Sequence, residues 1–272
     1  MSYLINVPVY YYSNPGDFVS YVSYNAGRYF IKNIHNSLCF LNLSYTYLKN
    51  LSRKNRLVPI ISKATIKTIV KNDQRRQRHL NLINLKTQLD AYQPCNEQEA
   101  KEREVMLHYI DTFPNNILTR ENEFAHFTAS AWIVNHNHSK VLMAYHNIYQ
   151  SWAWIGGHAD GDSNLLHVAL KETEEETGLK NIRPLSEDIF SLEILGVDGH
   201  VKKGKYVATH VHLNVTYLIE ADENEITKIK PDENSAIQWM ELGEAVEKSN
   251  EPNMKTIYQK LNEKFKKDMC VR

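Results

Sequence analysis

Apolar and polar positions along this chain fall into segments whose lengths suit single helices and strands. Leu82 to Ile110 reads as helix with a break at Tyr92-Gln-Pro94, and its second part opens on Asn96, an N-cap residue followed by first-turn acids. Phe113-Pro-Asn-Asn116 ends it. Strands are predicted at Phe124–Val134 and Lys140–Tyr145, flanking a hairpin turn at Asn135–Ser139. Trp152–Ile155 is a short apolar strand running into Gly156-Gly157. A helix follows over Asn164–Thr177, closed by Gly178 at the position that favours a left-handed residue. Further strands are expected at Phe190–Val197, Tyr206–Ile219 and Ala236–Met240, and helices at Leu242–Lys248 and Asn253–Phe265. This is an α+β order with helices set among strand pairs, and no internal repeat is visible.

The first 80 residues read differently. Phe18–Tyr24 alternates weakly as a strand would, and Ile66, Ile69, Val70 and Leu80 hint at a helix with a cationic face. Nine of the sixteen tyrosines precede residue 50, and no fold is legible in this stretch. The formal net charge of the chain is zero, yet residues 1–80 carry twelve Lys and Arg against two acids, Asp17 and Asp73. The remainder has a matching acidic surplus. One part suits polyanions and the other cations. Nucleic-acid binding through residues 1–80, with its Arg53-Lys-Asn-Arg56 and Arg75-Arg-Gln-Arg78 runs, is thus open but not favoured, because a basic face is usually just solvated.

With 42% hydrophobic and 24% charged residues, the 272-residue chain has globular proportions, which exclude wholesale disorder and a coiled coil. No apolar run reaches membrane-span length; Ser37–Leu48 is nearest, and is short and polar. Met-Ser-Tyr-Leu-Ile-Asn lacks a secretory signal's charged start. Cys39, Cys95 and Cys270 form no CxxC pair or disulfide framework, so a cytoplasmic setting is expected.

The stretch from Gly156 to Leu179 holds the densest chemistry. Leu166, Ala169, Leu170 and Thr173 make an apolar stripe on the predicted helix. Glu172, Glu175 and Glu176 stand at i, i+3 and i+4 on a shared face. Like charges at that spacing repel, and the negative end of the helix dipole adds to the cost. A hard divalent cation held by carboxylate oxygens would compensate them, and the two glycines let backbone approach the same ion. Taken alone, a Glu-rich helix is more often a solvated surface.

The joint spacing resembles the Nudix box, Gly-x5-Glu-x7-Arg-Glu-(apolar)-x-Glu-Glu-x-Gly-(apolar), laid over residues 157–179. Gly157, Glu172, Glu175, Glu176, Gly178 and Leu179 agree; Ser163, Lys171 and Thr173 depart. The first two departures replace the residues associated in the family with bracing the loop against the helix, and Asp162 is placed to reach Lys171 instead. The Gly156-Gly-His-Ala-Asp-Gly-Asp162 text resembles a variant seen in bacterial members. The resemblance extends over about residues 85–265. It implies a Nudix fold, a mixed sheet between helices in an α/β/α sandwich, with residues 1–80 as a separate extension and 81–268 as the domain.

What the resemblance implies for chemistry is an Mg²⁺- or Mn²⁺-dependent hydrolase cleaving a phosphoanhydride of a nucleoside diphosphate linked to another group. Glu172, Glu175, Glu176 and the Gly157 carbonyl would bind metal. Glu175, Glu176 or Glu233, an acid of the late loop, would complete catalysis, and His158 and Lys171 would meet substrate. A nucleotide-sensing or nucleic-acid-binding protein on the same fold is the alternative; the intact glutamate trio argues against it. His210 and His212, two apart on a strand, share a face, with packing or substrate contact favoured over a transition-metal pair. His136 and His138 are read as solvated turn residues, and Trp152 and Trp154 as core rather than base-stacking platforms.

Overall fold

The computed structural model describes residues 19–25, 28–34, 82–202 and 204–271. The chain divides into two compact units, Met1–Asp73 and Gln74–Arg272. In the first, β1 (Val19–Asn25) and β2 (Arg28–Ile34) pair as an antiparallel hairpin, so most of the expected Phe18–Tyr24 strand is present. The basic runs, Cys39 and the predicted cationic helix lie outside the described residues.

The second unit is built on one mixed sheet. Its elements are a helix over residues 82–91 (α1), α2 (Glu97–Thr112), β3 (Ala125–Asn135), β4 (Lys140–His146), β5 (Ser151–Ala153), β6 (Ile155–His158) and α3 (Leu165–Thr177). They continue with β7 (Ile182–Pro184), β8 (Ser191–Val197), β9 (His200–Lys202), β10 (Lys205–Val207), β11 (His210–Ala221), β12 (Asn234–Glu241), α4 (Leu242–Lys248) and α5 (Pro252–Val271). The sheet runs β12-β4-β3-β11-β7, with β5 on β4, β6 on β3 and β8 on β11. The β3–β11 pair is parallel, Val211 opposite Ala125 through Ala221 opposite Asn135. Every residue of β3 is buried, as a central strand covered on both faces must be.

Alternation along β3 and β11 sends two residue sets to opposite faces. Phe127, Ala129 and Ala131 join Leu213, Val215 and Tyr217 under Leu85 and Leu89 of α1, Met106 of α2 and Leu165 and Val168 of α3. On the other face Trp132, Val134 and Leu218 pack with Tyr258, Leu261 and Phe265 of α5. The result is the expected α/β/α sandwich. Farther along that second face, His126, Thr128, Ser130, His212 and Asn214 replace the apolar residues and line a cleft. No helix among the described residues is long and apolar enough to cross a membrane.

Three sequence expectations need correction. Trp152–Ile155 is not one strand: Ser151–Ala153 pairs with β4 while Ile155–His158 crosses to β3, so Gly156 and Gly157 lie inside a strand. Tyr206–Ile219 is likewise two strands, and β7 and β9, of three residues each, are too short to show periodicity. His136 and His138 are not merely solvated, because both bond the buried Glu220, at 2.9 and 3.2 Å.

A buried ionic cluster lies away from the cleft. Glu99, fully buried in the first turn of α2, accepts from the Tyr92 hydroxyl at 2.7 Å, the Cys95 N–H at 2.8 Å and the Ser191 hydroxyl at 2.9 Å. The Lys260 and Lys264 ammoniums of α5 lie 3.3 and 3.2 Å from it. Burial would raise its pKa, but these donors and charges hold it down at about 2. Lys260 also pairs with Glu193 at 3.0 Å and Lys264 bonds the Tyr92 hydroxyl at 2.6 Å. Glu99→Ala thus leaves both ammoniums a partner and should cost about 1–3 kcal/mol in urea unfolding, the scale of buried donors left unsatisfied.

Candidate active site

Glycine geometry and helix burial together build the site. Asn164 caps α3 by accepting the His167 N–H, and Gly178 ends the helix at φ 73°, where any side chain would be strained. The buried stripe of α3 is Leu165, Val168, Ala169, Glu172, Thr173, Glu176 and Thr177; Leu166 and Leu170, expected within it, are only half-buried. The helix thus turns two of its glutamates inward and leaves Glu175 exposed, so the three do not share one environment. Glu176 accepts the Gly156 N–H at 3.3 Å. Gly157 lies so close to Glu172 that a Cβ there would stand 2.5 Å from the Glu172 Cδ.

Glu233 completes the group from the turn before β12. Asn234, fully buried, donates from its side chain to the Glu176 carbonyl at 3.2 Å and accepts the Lys230 N–H at 3.1 Å. That ties the 230–234 turn to α3. One carboxylate oxygen from each of Glu172, Glu176 and Glu233 lies within 4.8 Å of the others. Glu175 stands outside this trio, held by Lys171 at 3.2 Å and Lys230 at 3.6 Å.

Electrostatics separate these acids. Burial, reinforced by the charges of Glu233 and Glu172, pushes the Glu176 carboxyl up to about 8. The hydrogen bond from Lys171 holds Glu175 below the usual carboxylate range. Hydrogen bonding to Glu172, at 2.9 Å, raises Lys171 in turn. Clustered carboxylates with one forced toward neutrality are matched to a divalent cation, which prefers hard oxygen donors and would supply the missing charge. The residues present fit such an ion.

Folded Glu176 keeps its proton up to about pH 8, whereas the unfolded chain releases it near the ordinary value of 4.5. The folded state binds more protons across that window, so its stability without metal should fall as pH rises through it. Stabilisation by a divalent cation, which needs the ionised carboxylate, should grow over the same range. Melting curves in chelator and in millimolar metal on either side of the window check this, with Glu176→Gln flattening both trends.

The loop between β6 and α3 is braced, but not as expected. Asp162 does not reach Lys171; it bonds His167 Nδ1 at 2.7 Å and accepts the Asn164 N–H at 2.9 Å. Arg120 grips Asp160 through two parallel bonds, Nε at 2.9 Å and Nη2 at 2.6 Å, and the Gly161 N–H reaches the Leu118 carbonyl at 2.8 Å. These contacts hold the loop in place.

A cleft of about 780 Å³ opens beside the acids, and its walls include Gly157, Lys171, Glu172, Glu175, Lys230 and Glu233. Trp154, half-buried at its edge, meets the Tyr258 ring edge-on with centroids 5.7 Å apart, while Trp152 packs against Tyr145. Both pack against the core, and Trp154 also lines the cleft. His158, His210 and His212 reach the same cleft with His126, which sequence reasoning missed. Burial, with the neighbouring imidazoles, drives the His212 pKa down to about 2. His126 and Lys230 lie far from the glycine–glutamate motif in sequence, so only the strand pairing and the 230–234 turn bring them in.

A family model described as NUDIX domain matches residues 124–261, starting at the edge of β3, so α1 and α2 precede the matched part. The asymmetrical bis(5′-nucleosyl)-tetraphosphatase of Rattus norvegicus is 28% identical over 120 residues, 44% of this chain and 74% of that protein. Among solved structures, a binary complex of C. elegans Ap4A hydrolase is 19% identical with a TM-score of 0.40, covering 54% of this chain and 98% of the other. A NUDIX-family hydrolase from Clostridium perfringens is 18% identical with a TM-score of 0.38, covering 51% and 96%.

Proposed function

Because the chain belongs to the NUDIX domain family, we propose that it is a pyrophosphohydrolase cleaving a phosphoanhydride in a nucleoside diphosphate linked to another group. The observation that carries this reading is the convergence of Glu172, Glu176 and Glu233 within 4.8 Å beside Gly157. Those carboxylates, with the Gly157 carbonyl, would hold Mg²⁺ or Mn²⁺. Such an ion would supply positive charge against the phosphates and would favour attack by water. Glu175, exposed to the cleft beside the trio, is assigned to a second ion or to orienting that water. The proton of the attacking water passes to a carboxylate of this group, with Glu175 and Glu233 open to the cleft. Lys171 and Lys230 place positive charge where the polyphosphate would lie, while the Arg120–Asp160 pair fixes the loop that follows β6.

The test is a substrate panel with Mg²⁺ or Mn²⁺: nucleoside triphosphates, sugar nucleotides, NAD-like compounds and bis(5′-nucleosyl) tetraphosphates. The rat relative's name makes the last of these the first to try. Turnover of at least one compound, abolished by chelator and restored by metal, is expected. No turnover of any compound with either metal would sink the proposal.

A further inference from the structure

Beyond the carboxylates, the described residues hold one other cluster suited to a metal, made wholly of imidazoles. His126 of β3 lies opposite His212 of β11 in the parallel pair, His210 is two residues earlier on the same face of β11, and His158 ends β6 on the other side of β3. One ring nitrogen from each lies within 4.8 Å of the other three. The ring centroids of His126 are 5.1, 5.2 and 5.2 Å from those of His158, His210 and His212. No Asp or Glu belongs to the group.

The tautomers follow from hydrogen-bond chemistry. His126 Nδ1 lies 3.0 Å from the Asn122 carbonyl and His210 Nδ1 2.8 Å from the Ala208 carbonyl. A carbonyl only accepts, so each Nδ1 carries a proton, and in the neutral ring that a metal requires each Nε2 is the free donor. His126 is 4% exposed and its Nε2 has no hydrogen-bond partner, although a buried lone pair ordinarily finds one. His210 Nε2 and His212 Nε2 are 3.2 Å apart. Tetrahedral Zn–N bonds of about 2.0–2.1 Å would put donor nitrogens about 3.3–3.4 Å apart, and modest ring rotations would bring the rest to that spacing.

We infer that His126, His158, His210 and His212 form a second metal centre, taking a borderline divalent transition ion of the Zn²⁺ class. Imidazole nitrogen selects such ions over Mg²⁺ and Mn²⁺, which favour oxygen. The Asn122 and Ala208 carbonyls act as the outer partners that fix ligand tautomer and ring orientation. Four neutral donors leave the ion its full double positive charge, on the floor of the cleft in which a polyphosphate is proposed to bind. His158, expected from sequence to meet phosphate, is on this assignment a ligand. The centre would also cross-link β3, β6 and β11, and it does not depend on the carboxylate site.

Co²⁺ is the probe, because a four-nitrogen tetrahedral site gives intense visible d–d bands and an oxygen-rich octahedral one gives weak bands. Full-length protein is stripped with chelator and titrated with Co²⁺ in millimolar Mg²⁺, which saturates the carboxylates. One equivalent should produce the intense bands, and Zn²⁺ should displace it. His126→Ala, and the less buried His158→Gln should the first variant fold poorly, should weaken Co²⁺ at least tenfold, since even outer partners are worth about 10–100-fold. Glu176→Gln should leave the spectrum intact. Absence of the bands in the wild type, an unchanged Co²⁺ affinity in folded His158→Gln, or loss of the bands in Glu176→Gln would each overturn the assignment.

Discussion

Glu176→Gln should reduce hydrolysis by at least about 10²-fold, the scale on which loss of one preorganised electrostatic group is felt, while the protein folds normally. The side chain is 4% exposed and its carboxyl is pushed up to about 8 by burial and by Glu233 and Glu172. An ionised carboxylate there is therefore costly unless a cation faces it. The amide keeps the shape and can still accept the Gly156 N–H, but offers a cation no charge. Without metal the variant should melt at or above the wild-type temperature at alkaline pH, because the repulsion is gone; with metal it should gain less. Glu174 is the comparison residue. It is exposed and paired with Lys180 at 2.8 Å, on the side of α3 away from the trio, so Glu174→Gln should be nearly silent. Steady-state kinetics and melting curves on the three proteins decide it, and wild-type turnover by Glu176→Gln in saturating metal would remove this residue from the site.

Gly157→Ala and Gly156→Ala should fail in opposite ways, although the positions are adjacent. An alanine Cβ at 157 would lie 2.5 Å from Glu172 Cδ, 2.7 Å from Cγ and 2.9 Å from Oε1. These atoms end a flexible side chain, so the fold can yield by swinging the carboxylate aside. Stability should change little and hydrolysis should drop by about 10²-fold or more, as a displacement near 1 Å at a reacting centre can produce. At 156 the Cβ would meet the Ala129 carbonyl oxygen at 2.6 Å and the Ser130 Cα at 2.9 Å, both backbone of β3. Strand β6 must then move, costing roughly 1–3 kcal/mol as overpacking does. Measuring kcat and urea midpoints for both variants separates the two roles. Equal loss of stability with activity retained at 157 would mean that Glu172 need not hold its present position.

Local chemistry determined much of this protein from the sequence alone. The Asn96 and Asn164 caps and the left-handed Gly178 each act within a few residues, so the ends of α2 and α3 are legible without a fold. The glycine–glutamate spacing from 157 to 179 likewise points to the family and its fold, because that chemistry is packed into one continuous segment. Tertiary structure decided what depends on distant partners. It divided the glutamates by burial, turning Glu172 and Glu176 inward and leaving Glu175 with Lys171 and Lys230, a distinction that i, i+3 and i+4 spacing cannot make. It brought Glu233 to Glu176 through Asn234, across more than fifty residues of chain. It also converted His210 and His212, read as packing residues, into half of a four-imidazole cluster. Their partners lie more than fifty residues earlier on β3 and β6, and a strand's two-residue period says which side chains share a face but not which strand will lie beside it.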